Sequence, residues 1–178
     1  MNRTRYIQSI LIMPMTTDRE KTAHLLRRFA FGASESELDF YSEGGYAKAV
    51  DRLLDVEAIE ERVIFDPAQL ADQNGNVRMQ GIQLWWMVRM LTTRRPLVEK
   101  MTLFWHDHFA TSAQKVVQVP LMQQQNETLR EGALGNFREL VRSASKDPAM
   151  LVWLDNQLNV RGKPNENFAR EVMELFTI

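Results

Sequence analysis

Residues 77–111 contain the strongest helical signal in the chain and read VRMQGIQLWWMVRMLTTRRPLVEKMTLFWHDHFAT. Its first half, 77–93, is apolar almost all the way round, which predicts a central, buried helix. Pro96 suits the first turn of a second helix that runs to about Thr111. Because the 3.6-residue period continues on both sides and strand-type alternation is nearly absent, the sequence predicts an all-α protein.

Caps and breakers mark the other helices. Thr17 and its neighbours can cap a first helix, and Ser34 with Glu37 forms a capping box for a second. We therefore expect an irregular multi-helix orthogonal bundle of about eight helices. The nine candidate helical segments lie near 18–31, 34–43, 46–54, 77–93, 96–111, 120–131, 136–145, 148–154 and 165–178. Residues 1–15 are predicted to be an N-terminal arm, and 16–178 a single helical domain.

Composition excludes several classes of protein. Lys and Arg total 22 against 23 Asp and Glu, and so even a balance argues against nucleic acid as a partner. The absence of Cys excludes disulfides and thiolate metal sites. No stretch approaches the roughly 20 apolar residues that a membrane span needs. The apolar run after Arg5 is short and stops at Pro14, so the lack of a clear signal peptide predicts a cytoplasmic location.

The densest polar and aromatic cluster is FWHDHF at 104–109. On a helix, His106 and His108 point about 200° apart, so the H-x-H spacing is a weak metal signal. His108 follows the apolar stripe of the helix and is interpreted as a hydrogen-bonded core histidine, with ligand binding as the alternative. His106 shares a face with Glu99, where it is either a polar packing contact or a general base or ligand.

A second polar cluster surrounds the start of the last helix. Glu166 and Arg170 belong to a charge ladder on one helix face, while Asn165 and Asn167 suit turns and caps. The alternative is a site organised by Arg170 with Glu171. The candidate catalytic residues are therefore His106, Glu99, Arg170 and Glu171, and the candidate binding residues are His108, Asn165, Glu166 and Asn167.

Familiar catalytic templates are missing. The sequence contains no G-x-G-x-x-G, Walker A, G-x-S-x-G or H-E-x-x-H motif. No Glu has a His three residues later, as carboxylate-bridged di-iron bundles require. We therefore assign no metal and no cofactor from the residues.

Several long motifs, in one order, resemble a bacterial family, the domain of unknown function 1800 (DUF1800). The resemblance covers roughly residues 20–178. The segments that carry it are AHLLRRFAFG at 23–32, WMVRM at 86–90, RPLVEKMTLFWHDHFATS at 95–112, DPAML at 147–151, LDN at 154–156 and PNENFAREVMELFT at 164–177.

The resemblance implies no activity and no catalytic residues. Members of the family are typically far longer, so we expect this chain to be the N-terminal part of a longer architecture, with the missing C-terminal part as one partner. Many members look exported, which implies an exported protein. Two hypotheses result. The first is a helical module that binds or scaffolds with a cell-envelope protein. The second is a hydrolytic enzyme, with or without metal assistance, that uses His106 with Glu99 or the cluster from Asn165 to Glu171.

Overall fold

A computed structural model describes residues 15–62 and 65–177. These residues form nine α-helices and two short 3₁₀ turns, with no strand beyond one isolated bridge between Val160 and Lys163. The prediction of an all-α, multi-helix bundle is confirmed. The helices are α1 (Asp18–Phe29), α2 (Glu35–Ser42), α3 (Tyr46–Leu54), α4 (Met79–Thr92), α5 (Pro96–His108), α6 (Val119–Glu131), α7 (Phe137–Lys146), α8 (Pro148–Trp153) and α9 (Glu166–Phe176). Residues 1–14 of the predicted N-terminal arm lie outside the described residues.

Local sequence signals set most helix ends. Thr17 and Glu20 form a capping box at α1, and Ser34 and Glu37 form the one predicted at α2. The Asp147 side chain accepts hydrogen bonds from the first backbone amides of α8. Helix α5 starts at Pro96 as predicted but ends at His108, three residues before the predicted end.

Helix α5 joins two hydrophobic cores. Leu97, near its start, is buried in a core built by α1, α2 and α3, with Met101 packed against it. Phe109, just after its end, is buried in a second core shared with α6–α9, with Trp105 packed against it. Since these four residues recur at a spacing of four, a single apolar stripe supplies both cores.

The remaining face of α5 contacts α4 and α6. Helix α4 buries Ile82 and Trp85 there, but Leu84, Met87 and Leu91 are exposed to between 45 and 74%. The prediction of a central, buried helix therefore holds for only one side of α4, because the described residues place no helix over the other side. No helix in the described ranges is long and apolar enough to cross a membrane.

Candidate functional site

Four charged side chains meet where α4, α5 and α6 come together, and we call them the charge network: Arg89, Glu99, Glu127 and Arg130. Arg130 binds the Glu99 carboxylate through two parallel hydrogen bonds, from Nε at 2.6 Å and from Nη2 at 3.2 Å. Arg89 Nε donates to the same carboxylate at 2.7 Å. Arg130 also pairs with Glu127 at 2.7 Å. Two cations and two anions therefore balance each other.

Glu99 is the centre of this network. Its side chain is 1% exposed, and a fourth hydrogen bond comes from Trp86 Nε1 at 3.2 Å. Burial by itself raises the pKa of Glu99, but the hydrogen bonds and charges of Arg130 and Arg89 outweigh burial and leave the pKa below its ordinary value. Because every lone-pair direction of the carboxylate is engaged, Glu99 supports the surrounding structure rather than offering a free base.

The two tryptophans of α4 have separate roles in the charge network. Trp85 is 3% exposed, and the guanidinium groups of Arg130 and Arg89 lie 5.3 and 5.9 Å from its ring centre. This placement covers the buried cations with an aromatic face. Trp86 instead lies between Glu99 and His106, with its ring edge-on to the imidazole at a centroid distance of 4.9 Å.

His106 lies beside the charge network without bonding to it. The ring is half-buried, and its Nδ1 atom is covered from water with no hydrogen-bond partner in the described chain. Burial lowers the pKa of His106, an effect that the charge of Asp107 only partly opposes. The imidazole is therefore neutral at pH 7, the form that can accept a proton.

An open cleft of about 410 Å³ lies against His106 and Trp86. Its walls are α4, the loop after α5 and the first turns of α6, and Asn126 of α6 belongs to its lining. The volume falls in the range of roughly 300–1,000 Å³ that small-molecule sites occupy. We refer to this space as the cleft.

The two histidines of the H-x-H pair reach different surroundings, as the helical geometry predicts. His108 Nε2 lies 3.0 Å from the carbonyl oxygen of Phe176. Its ring packs near Trp105, Phe109 and Phe137. This is the arrangement of a hydrogen-bonded core histidine. No group of three or more metal-binding side chains occurs in the described ranges.

The polar cluster around the start of α9, which we call the α9 cluster, lies at the surface; its members are Asn165, Glu166, Asn167, Arg170 and Glu171. Asn165 caps α9 and donates to the Leu154 carbonyl. Asn167 donates to Glu171 and accepts from Arg170, at 2.8 and 2.6 Å. These bonds stay within the last helix and its adjoining loop. The structure therefore places the α9 cluster in local capping and pairing contacts.

Sequence reasoning missed most of the charge network and the cleft. It found Glu99 and His106, but not Arg89, Arg130 or Asn126. One signal was present: Arg89 is the only charged residue in the 14 residues of α4. A lone charge in an otherwise apolar helix needs a buried partner. Arg130 and Asn126 gave no comparable signal, because α6 is rich in polar residues.

A family described as "Protein of unknown function (DUF1800)" matches residues 24–178. The match extends from α1 to the end of α9, so it includes the charge network, the cleft and the α9 cluster. No curated protein and no solved structure matches the chain. The comparisons therefore identify a family without supplying an activity.

Proposed function

This chain belongs to the DUF1800 family, as its motifs predicted, and on that premise we propose that it is a helical module that binds a partner protein of the cell envelope. The observation that carries the proposal is the exposed apolar face of α4. The partner segment that fits this face best is an amphipathic helix with acidic residues at its ends.

The apolar face is a continuous stripe, which we call the α4 stripe: Leu84, Met87 and Leu91. These residues recur at intervals of three and four, so they form one line along the helix. Met87 is 54% and Leu91 is 74% exposed. A line of large apolar side chains at the surface of a folded protein is typical of an interaction site, and this spacing matches helix-in-groove recognition.

The charges around the α4 stripe favour an acidic partner. The segment 77–98 contains four Arg and no carboxylate. Two of these cations, Arg78 and Arg94, are exposed and lie just beyond the two ends of α4. Carboxylates at the ends of a docked helix would meet them, and such complementarity fixes the orientation of a partner and speeds its association.

The cell-envelope location is supported by the family resemblance, since many DUF1800 members look exported. The charge network supports the binding role in another way. It holds α4 firmly against α5 and α6 through Arg89, so the α4 stripe is presented on a fixed element. A preorganised surface loses less conformational entropy when a partner docks.

The test is site-specific photo-cross-linking in the native cell. A photoreactive residue replaces Leu91 in one strain and Leu54, an exposed leucine of α3, in a control strain. We expect a covalent adduct from position 91 alone, with the cross-link mapping to an apolar helix flanked by Asp or Glu. A synthetic peptide of that segment should bind the purified protein, and Leu91→Glu should weaken binding by tenfold or more, as for the larger interface hot spots.

Two results would overturn this proposal. One is equal labelling from positions 91 and 54, which would make the adduct non-specific. The other is a cross-link to a segment of the same polypeptide, which would make the α4 stripe an internal packing surface.

Hydrolysis is a second candidate, favoured by one observation: His106 lines the cleft, where burial lowers its pKa. A neutral imidazole beside an open space can act as a general base or bind a metal. Elemental analysis of untagged wild-type protein beside His106→Ala and His108→Ala tests it. Stoichiometric metal in wild type that is lost in either variant would support this function. Equal, trace amounts of metal in all three samples would rule out metal-assisted hydrolysis.

A further inference from the structure

The side-chain amide of Asn126 is held in a fixed orientation. Its Oδ1 atom accepts a hydrogen bond from Arg130 Nη2 at 2.5 Å. Since a guanidinium can only donate, this contact determines which end of the amide is oxygen. The other end, Nδ2, is therefore an NH₂ group, and in the described chain it has no acceptor although it is buried.

Its neighbours restrain the Asn126 side chain from rotating. Arg130 is held by Glu99 on one side and Glu127 on the other, and Asn126 itself is 4% exposed. A buried donor without a partner costs free energy, and native proteins keep few such groups. Asn126 also lines the open cleft. A ligand oxygen bound there could therefore supply the acceptor that this NH₂ group lacks among the described residues.

His106 also lines the cleft, and its buried Nδ1 is a second nitrogen without a hydrogen-bond partner in the described chain. Its neutral ring can present Nδ1 either as a donor or as an acceptor, depending on the tautomer. Together with Asn126 it can therefore match a group that both accepts and donates. An amide has this pairing, with a carbonyl oxygen and an N–H on adjacent atoms.

The rest of the lining favours a ligand without charge. Among the described residues that line the cleft, none is Asp, Glu, Lys or Arg. A charged ligand would lose water there without gaining an ion pair. Met79, Ile82 and Met122 supply apolar surface, which suits an aliphatic group attached to the amide.

The rim of the cleft is anchored, so the space is preformed. The loop after α5 contributes Thr111 and Gln114 to the lining. In this loop Val116 is fully buried, and Lys115 binds the Trp153 carbonyl and Asp155 at 2.6 and 2.8 Å. Thr111 donates to Gln125 of α6 at 2.5 Å. These contacts hold the loop against α6 and α8.

We infer that the cleft is a binding site for a small neutral molecule that carries an amide next to an aliphatic group. Asn126 donates to the amide oxygen, His106 contacts the amide, and the methionine and isoleucine side chains receive the aliphatic part. The inference is independent of the α4 stripe, because the cleft uses Met79, Ile82 and Trp86, which lie on another face of α4.

The test is a titration of ¹⁵N-labelled protein with N-acetyl-L-leucinamide, observed by NMR. We expect saturable shifts of the Trp86 indole N–H and of the Asn126 side-chain NH₂. The carboxylate analogue N-acetyl-L-leucine should bind at least about tenfold more weakly, because no Lys or Arg is among the described residues that line the cleft.

Asn126→Asp is the decisive variant. It keeps the oxygen that accepts from Arg130 and replaces the NH₂ by a second oxygen, so affinity for N-acetyl-L-leucinamide should fall by about tenfold, the loss of one hydrogen bond. Gln124→Glu is the matched control, since it adds the same charge to an exposed position of α6 and should change the affinity by less than about twofold.

Met122→Trp provides a second route should Asn126→Asp fold poorly. Met122 lines the cleft and takes no part in the ion pairs of the charge network. A larger side chain at this position should fill the cleft and abolish the shifts at Trp86. The inference is overturned if N-acetyl-L-leucinamide produces no saturable shift. It is also overturned if Asn126→Asp binds the probe as tightly as wild type. If Asn126→Asp does not fold, the same criterion applies to Met122→Trp.

Discussion

The charge network and the α9 cluster are built from the same kinds of side chain, Arg with Glu, each with an Asn beside it. In the charge network, the Glu99 side chain is 1% and the Arg130 side chain is 6% exposed, and Glu99 joins α4, α5 and α6. In the α9 cluster, Arg170 and Asn167 are exposed, and their hydrogen bonds join residues three or four apart on one helix.

The comparison indicates that burial, rather than composition, determines how much a polar cluster contributes to stability. Exposed ion pairs contribute little because water and salt screen them. Removing one partner of a buried pair leaves a charge without compensation, which is far more costly. The same substitution should therefore have very different effects in the two regions.

Glu99→Gln should reduce stability more than any change in the α9 cluster. This variant keeps the shape of the side chain but leaves Arg89 and Arg130 facing an amide, with only Glu127 to balance them. We expect the free energy of unfolding to fall by about 3–5 kcal/mol, as when other buried pairs lose a partner, measured by urea denaturation. A loss below about 1 kcal/mol would mean that the charge network contributes no more to stability than surface ion pairs do. The charge network and the α9 cluster would then not differ in this respect.

Trp105→Ala, which truncates an apolar side chain, should lower the free energy of unfolding by an amount similar to Glu99→Gln. The Trp105 ring packs near Phe109 and Phe137, and its indole N–H donates to the Ala133 carbonyl at 2.9 Å. Truncation should cost about 3–5 kcal/mol, the range for large core deletions, and calorimetry would detect the lower melting temperature. An unchanged melting temperature would mean that this side of α5 is not part of the second core.

Acid should reduce the difference in free energy of unfolding between wild type and Glu99→Gln. The folded-state pKa of Glu99 lies below its ordinary value of 4.5, so its contribution is fully present above that value and is lost as the pH falls through the folded pKa. The difference in unfolding free energy between the two proteins should therefore shrink below pH 4.5. A difference that stays constant down to pH 3 would contradict the lowered pKa.

Asp147 is the reason for measuring a difference between two proteins rather than wild type alone. It is 3% exposed, and its burial raises its pKa above the ordinary value despite hydrogen bonds from the start of α8. A raised folded pKa makes stability fall as the pH rises through it, which is opposite in sign to the effect of Glu99. Because both proteins contain Asp147, its contribution cancels in the comparison.

The smallest effect is expected for Glu171→Gln, the same chemical change made in the α9 cluster. Its one side-chain partner there is Asn167, which can also donate to an amide oxygen. The unfolding free energy should change by less than about 1 kcal/mol, measured under the same conditions as Glu99→Gln. A larger loss would show that the α9 cluster has a structural role that its exposure does not reveal.

The fold was largely predictable because its signals are local. The capping boxes at Thr17 and Ser34 and the prolines at 96 and 148 act within one turn of the helix that they start. The candidate site was only partly predictable. The shared face of Glu99 and His106 followed from helical spacing, but Arg130 lies 31 residues beyond Glu99, and no periodicity connects residues so far apart.

The sequence alone determined the helices, the family and the opposite directions of His106 and His108, because each depends on short-range spacing or on a run of matching residues. Tertiary packing was needed to show the other features: among the described residues, one apolar face of α4 is uncovered, Arg89 and Arg130 share Glu99, and the buried Asn126 donor beside the cleft has no acceptor. These features depend on which helices meet, and that choice minimises the free energy of the whole fold rather than that of any single segment.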